Sequence, residues 1–191
     1  MKVQIIIGST RPGRQSDKLA KWVTNHAKEF HNIETEAVDL QDYDLPLFNE
    51  PSSPQYTPDR KTTGVVKQWI DKLAEADGYI LITPEYNRST SGVLKNAIDY
   101  IDYQWDKKPV AIVAHGSTGG AQAVGHLRGI IPGALGVSLP RVVYFAHRVG
   151  DVVNEEGELA EELRNNPWGP EAALKQLLTD LDWYLSALRK A

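Results

Sequence analysis

Five short runs rich in β-branched residues alternate with stretches whose apolar residues recur every three or four positions, and this rhythm spans nearly the whole chain. The runs lie at residues 3–7, 34–40, 79–83, 110–114 and 137–145, the last interrupted by Pro140. Between them, Leu19, Ala20, Val23, Ala27 and Phe30 mark one helical stripe. Val65, Val66, Trp69, Ile70 and Leu73 mark a second, and Val93, Leu94, Ala97, Ile98 and Ile101 a third. Two more helices are expected at about 121–131, stopped by Pro132, and at 172–188. Strands that alternate with helices connect by right-handed crossovers, which makes a parallel sheet covered on both faces. The expected fold is a doubly wound α/β fold with a five-stranded parallel sheet and helices on both faces. At 191 residues the chain suits one domain, taken as 1–191. In such folds ligands bind at the carboxyl ends of the strands, where the strand order reverses.

Composition narrows the function. With 41% apolar residues, the chain can offset the entropy of ordering, so disorder is excluded. The absence of cysteine removes disulfide scaffolds and thiolate-bound zinc or iron–sulfur centres, and no metal site is expected. A net charge of -4 supplies no general attraction to nucleic acid. No apolar run approaches the ~18 residues of a membrane span, and Met1-Lys2-Val3 leads directly into a strand pattern. The expectation is a soluble, cytoplasmic protein without nucleic-acid or membrane partners. Charge is nevertheless uneven. Lys2, Arg11, Arg14, Lys18, Lys21 and Lys28 dominate the first thirty residues. Asp151, Glu155, Glu156, Glu158, Glu161 and Glu162 form an acidic block whose ordinary role is a solvated face. A long loop over 41–60 carries Pro46, Pro51, Pro54 and Pro58, and loops of that length tend to be functional or mobile.

Three loops at strand ends have unusual chemistry. Residues 8–16, Gly-Ser-Thr-Arg-Pro-Gly-Arg-Gln-Ser, join a buried strand to a helix start, with Ser16 the expected N-cap and Asp17 in the first turn. Hydroxyls of Ser9, Thr10 and Ser16 and the charge of Arg11 or Arg14 suit one monophosphate. A dinucleotide fingerprint would need glycine in place of Thr10, and a Walker loop would need Lys and Ser or Thr after Gly13. The second loop, Pro84-Glu85-Tyr86-Asn87 and onward to Gly92, offers an aromatic ring and main-chain groups for a planar ligand. In the third, Gly116-Ser117-Thr118-Gly119-Gly120, glycines admit a close backbone approach and N–H groups can hold a carbonyl or developing anion. His115 just before it is either a proton donor or structural. A phosphate at one end and a polar aromatic ring at the other describe flavin mononucleotide.

The chain resembles the NADPH-dependent FMN reductases, a family that includes azo- and quinone-reducing flavoproteins. The resemblance rests on Gly8-Ser9-Thr10-Arg11 through Ser16, on Pro84-Glu85-Tyr86-Asn87, on the segment 91–99 and on the Gly116 to Gly120 turn, with Asp39-Leu40 and Leu45-Pro46-Leu47 in support. It covers roughly the first 145 residues; the extension with Trp168 and Trp183 lies outside it. The resemblance implies a flavodoxin-like sheet of order 2-1-3-4-5, bound FMN, and a homodimer or homotetramer. It implies Ser9, Arg11, Gln15 and Ser16 at the phosphate, Pro84, Glu85, Tyr86 and Asn87 along the isoalloxazine, and Ser117, Thr118, Gly119 and Gly120 at its pyrimidine side. Lys95, Asn96 and Asp99 would serve helix packing and dimer formation. NADPH or NADH would supply a hydride, and a quinone, azo compound, free flavin or similar small acceptor would take the electrons. No catalytic side chain is expected, because the flavin carries the chemistry. The alternative is an FMN-binding electron carrier or redox sensor; a dinucleotide dehydrogenase with Asp39 on a ribose would need the glycine that Thr10 replaces.

Overall fold

The computed structural model describes residues 1–57 and 59–189; Pro58 of the long loop lies outside them. Five strands form one sheet: β1 (Lys2–Ile7), β2 (Glu34–Asp39), β3 (Gly78–Pro84), β4 (Pro109–His115) and β5 (Val137–Phe145). Their order is β2-β1-β3-β4-β5, and every neighbouring pair is parallel. This is the flavodoxin-like order, whose reversal at β1 and β3 opens a crevice at the carboxyl edge. The helices are α1 (Ser16–Ala27), α2 (Gly64–Ala74), α3 (Gly92–Asp99), α4 (Ala121–Gly133), α5 (Val149–Val152), α6 (Glu161–Arg164) and α7 (Pro170–Leu188).

Period-two alternation sorts the strand side chains into two cores. Val3, Ile5 and Ile7 of β1 pack with α1 and α7, whereas Ile6 packs with α2, α3 and α4 on the other face. Both faces are covered, so the central strands are mostly apolar, and buried Gln4 of β1 is held by donating to Lys72 O at 2.6 Å. Burying each such Ile or Leu contributes about 1.5–3 kcal/mol. Trp69 joins α2 to α3 without an orphan donor, since its indole N–H donates to Ala97 O at 2.9 Å. The segment beyond 150 belongs to the first core: Leu174, Leu177, Leu178, Leu181 and Leu185 of α7 are all buried there.

Some boundaries depart from the sequence reading. Ser16 is the first residue of α1 rather than its N-cap; Gln15 holds that place and makes no side-chain cap. Phe30 falls past the end of α1 but still packs against the core. Pro132 sits inside the last turn of α4. The described part of the 41–60 segment is tied down. Short 3-10 turns occupy Leu40–Asp42 and Pro54–Tyr56. Asn96 donates to Pro46 O at 2.8 Å and accepts from Phe48 N at 2.9 Å, and Arg60 donates to Tyr100 O at 2.5 Å. The acidic block docks on the basic face of α1: Lys18 pairs with Glu155 at 2.8 Å, and Lys21 donates to Glu155 O at 2.7 Å. At β5 the register with β4 jumps by two between Val110–Ser138 and Ile112–Val142, around Pro140. Among the described residues, no helix is long and apolar enough to cross a membrane.

Candidate functional site

The loops after β1, β3 and β4 converge at the carboxyl edge. Gly8 leaves β1 with its N–H donating to Ile82 O at 2.9 Å. A Cβ there would stand 2.7 Å from that oxygen and 2.9 Å from Leu94 Cδ2, so only glycine fits. Ser91 locks the same point, donating its hydroxyl to Gly8 O. The loop then turns back on itself. Arg14 is drawn inward, where its Nη1 donates to Ser9 O and to Asp39 Oδ1, both at 2.7 Å, and its Nη2 pairs with Asp39 Oδ2. Arg11 stays exposed, 5.7 Å over the Tyr86 ring, and makes no ion pair among the described residues. Asp39 is therefore engaged, and the ribose contact of a dinucleotide enzyme is not open to it.

The second loop is a two-residue hairpin. Tyr86 and Ser89 exchange N–H···O bonds of 2.8 and 3.0 Å, while Asn87 and Arg88 take positive φ of 49° and 69°, as a type I′ turn requires. This hairpin directs Tyr86 back toward the first loop, with its hydroxyl 2.8 Å from Ser9 Oγ. Glu85 points the other way. Its N–H donates to His115 O at 3.0 Å, and its carboxylate accepts from Gln122 N at 2.9 Å and from Thr118 Oγ1 at 3.3 Å. In the third loop Gly119 and Gly120 both lie in the left-handed region, φ 71° and 79°, and a Cβ on Gly120 would meet Ala114 Cβ at 2.6 Å. Ser117 and Thr118 are exposed beside them.

Three helices start at this edge, and they are capped differently. Ser91 caps α3 by accepting from Leu94 N at 3.2 Å, and Glu85 provides the carboxylate at the start of α4. At α1 the Lys18 N–H finds Asp17 Oδ1 at 3.0 Å, but Gln15 makes no cap. Its Nε2 donates instead to Gly13 O at 3.1 Å. With Lys18 met by Asp17, the N–H groups of Ser16 and Asp17 remain at the open end of α1, and the helix dipole adds positive potential to Arg11 beside them.

Sequence-expected site residues thus fall into two groups. Arg11, Gln15, Pro84, Tyr86, Asn87, Ser117, Thr118, Gly119 and Gly120 gather around one edge. Ser9, Ser16 and Glu85 are there too, bonded to protein through their side chains, as are Gln15, Tyr86 and Thr118 of the first group. Ser9 and Ser16 are fully buried, and Ser16 Oγ lies 2.8 Å from His115 Nε2. Burial pushes the His115 imidazole down to about 4, so at neutral pH it is uncharged and has no excess proton to give. With its Nε2 engaged by buried Ser16, His115 serves as a strut between β4 and the start of α1. The His115–Ser16 bond spans 99 positions, and no local pattern announces it. Clefts of about 230 and 310 Å3 flank the first loop, beside Thr10 and beside Gln15 and His115. Among the described residues no group of three or more His, Asp or Glu is placed to hold a metal ion.

A doubly wound sheet with a glycine-lined crevice and an uncapped helix at its switch point defines a mononucleotide-binding α/β protein. Residues 1–150 match the NADPH-dependent FMN reductase family, and the chain belongs to it. It is 33% identical over 184 residues to an NAD(P)H-dependent FMN reductase of Schizosaccharomyces pombe, covering 87% of this chain and 92% of that protein. It is 34% identical over 161 residues to an FMN-dependent NADPH-azoreductase of Staphylococcus aureus, covering 82% of each. Among solved structures it is similar to FerB, a flavoenzyme NAD(P)H:(acceptor) oxidoreductase of Paracoccus denitrificans. The TM-score is 0.72 at 25% identity, over 99% of this chain and 97% of that one. The chain is accordingly an FMN-dependent NAD(P)H oxidoreductase, with FMN as cofactor and NAD(P)H as co-substrate.

Proposed function

We propose that this protein passes reducing equivalents from NAD(P)H to a small, flat two-electron acceptor: a quinone, an azo compound or a free flavin. The observation that carries the site assignment is the start of α1, where Gln15 makes no N-cap bond and Arg11 stands exposed without an ion pair among the described residues, while Ser91 caps α3 and Glu85 meets a first-turn N–H of α4. A phosphate suits that place. In this reading the first-turn N–H groups of α1, Thr10 and Arg11 grip the phosphate of FMN. Ser9, Gln15 and Ser16 shape that cradle from behind. Pro84, Tyr86 and Asn87 border the ring, and the N–H groups of the Ser117–Thr118–Gly119–Gly120 turn face its pyrimidine edge, where added negative charge is stabilised. Glu85 holds the second and third loops together so that the ring has one fixed floor. Bound FMN supplies the hydride and electron chemistry. The protein's part is to bind, orient and exclude water.

We read residues 1–191 as one cytoplasmic unit that pairs with itself as a homodimer or homotetramer. Leu47, Tyr56, Val93 and Tyr103 stand exposed around α3 and the loop pinned by Asn96, and they suit a self-association face. Light scattering of the eluted peak tests this; a monomer counts against it. The activity is tested by adding NADPH anaerobically to the yellow protein, then offering quinone, azo dye or free flavin in turn. Rapid bleaching and reoxidation by one class identifies the acceptor. A flavin that stays oxidised removes the enzyme reading.

A further inference from the structure

The two arginines of the first loop, three residues apart, have opposite fates. Arg14 is mostly buried, with 13% of its side chain exposed, and Asp39 has 22%. Its guanidinium makes a forked pair with that carboxylate, the geometry arginine provides and lysine cannot. Asp39 is itself fixed, because its Oδ1 also accepts from Gln41 N at 2.9 Å. From this anchor Arg14 Nη1 reaches Ser9 O, and the Arg14 N–H closes the turn on Arg11 O at 3.1 Å. A trans peptide sends its C=O and N–H in opposite directions. Holding the Ser9 carbonyl inward therefore turns the Thr10 N–H outward, away from the ion pair.

We infer that Arg14 is a positioning residue and Asp39 its anchor: together they set the first loop so that its N–H groups and Arg11 meet an anionic phosphate. The inference rests on the reading that this loop takes the FMN phosphate. It carries an unusual sign. Asp39 is an acid close to a bound anion, so on charge alone neutralising it should tighten binding. If the pair is a strut, neutralising it loosens the loop and weakens binding instead.

The experiment titrates the flavin-free full chain with FMN and with riboflavin, which lacks the phosphate. D39N is expected to weaken FMN by about tenfold and leave riboflavin unchanged, with R14K behaving similarly because it keeps the charge but loses the fork. The double variant R14K/D39N should bind FMN no worse than either single variant, since both remove one strut. FMN affinity equal to or tighter than that of the parent in D39N overturns the inference, as does an equal loss for both flavins. R11A reports on the underlying reading separately. If R11A weakens FMN alone, the phosphate lies at this loop and the D39N result stands on its own. If R11A changes the FMN-to-riboflavin ratio not at all, the phosphate assignment falls and takes the strut with it.

Discussion

The two edges of the sheet treat charge in opposite ways. At the amino edge, Lys2 reaches Glu75 at 2.5 Å and Glu36 at 2.9 Å, while Lys72 reaches the same two carboxylates at 3.0 and 3.1 Å. Two cations and two anions satisfy each other. Lys2, and after it Lys72, hold the Glu75 carboxyl below its usual range. At the carboxyl edge the accounts do not balance. Asp39 neutralises Arg14, burial discharges His115, and Arg11 remains beside an uncapped helix. One edge pairs its charges among themselves; the other leaves the Arg11 guanidinium exposed and without an ion pair among the described residues. Function follows the imbalance rather than the number of charges.

Four experiments probe this contrast. Gly120→Ala should do the most damage, because a methyl group meets Ala114 in a left-handed backbone. A loss of about 3 kcal/mol in denaturant unfolding is expected, and a neutral result would mean that the third loop can move aside. Arg11→Ala should leave folding intact and weaken FMN by roughly 10- to 100-fold, since a charge-assisted bond to phosphate contributes about 1.5–3 kcal/mol. His115 brings a pH dependence. Its folded pKa lies below the unfolded ~6.5, so the unfolded chain binds the extra proton first. Stability contributed by neutral His115 is present above ~6.5 and lost as pH falls toward 4, by about 2 kcal/mol between pH 7 and 5. His115→Gln should flatten that part of the profile; an unchanged slope would assign it elsewhere. Lys72→Ala at the amino edge should produce the smallest change, a slight drop in Tm that vanishes in ~1 M salt. A large, salt-resistant drop would erase the distinction between the edges.

The strands were legible to within a residue or so, because a parallel strand buried on both faces has to be apolar along its length. Helices with a clear stripe were found in the right places, but their ends were not: Phe30 and Ile101 lie past α1 and α3, and Pro132 sits inside α4. The four-residue helices α5 and α6 were not legible, being about one turn long, too short for a stripe to repeat. In the site, the glycine-and-hydroxyl loops could be found by eye, but the roles within them could not. Which arginine stays exposed is decided by Asp39, 25 positions from Arg14, and the orientation of Glu85 by a helix start 37 positions on. Ser16 looked like a cap because its neighbours in sequence invited one; its actual partner comes from β4. Local chemistry identifies a site, and long-range pairing divides the labour in it.

The irregularity in β5 has a bearing on the life of the chain before it is finished. β5 is an outer strand, and an outer strand left flat offers a row of free backbone groups to any passing chain. Pro140 offers no N–H, the register jump around it interrupts the regular ladder, and Arg141 beside it is exposed and tethered to Asp180 at 2.7 Å. These three neighbours make that border a poor template for fibril growth, so crowding during synthesis finds no seam there to extend.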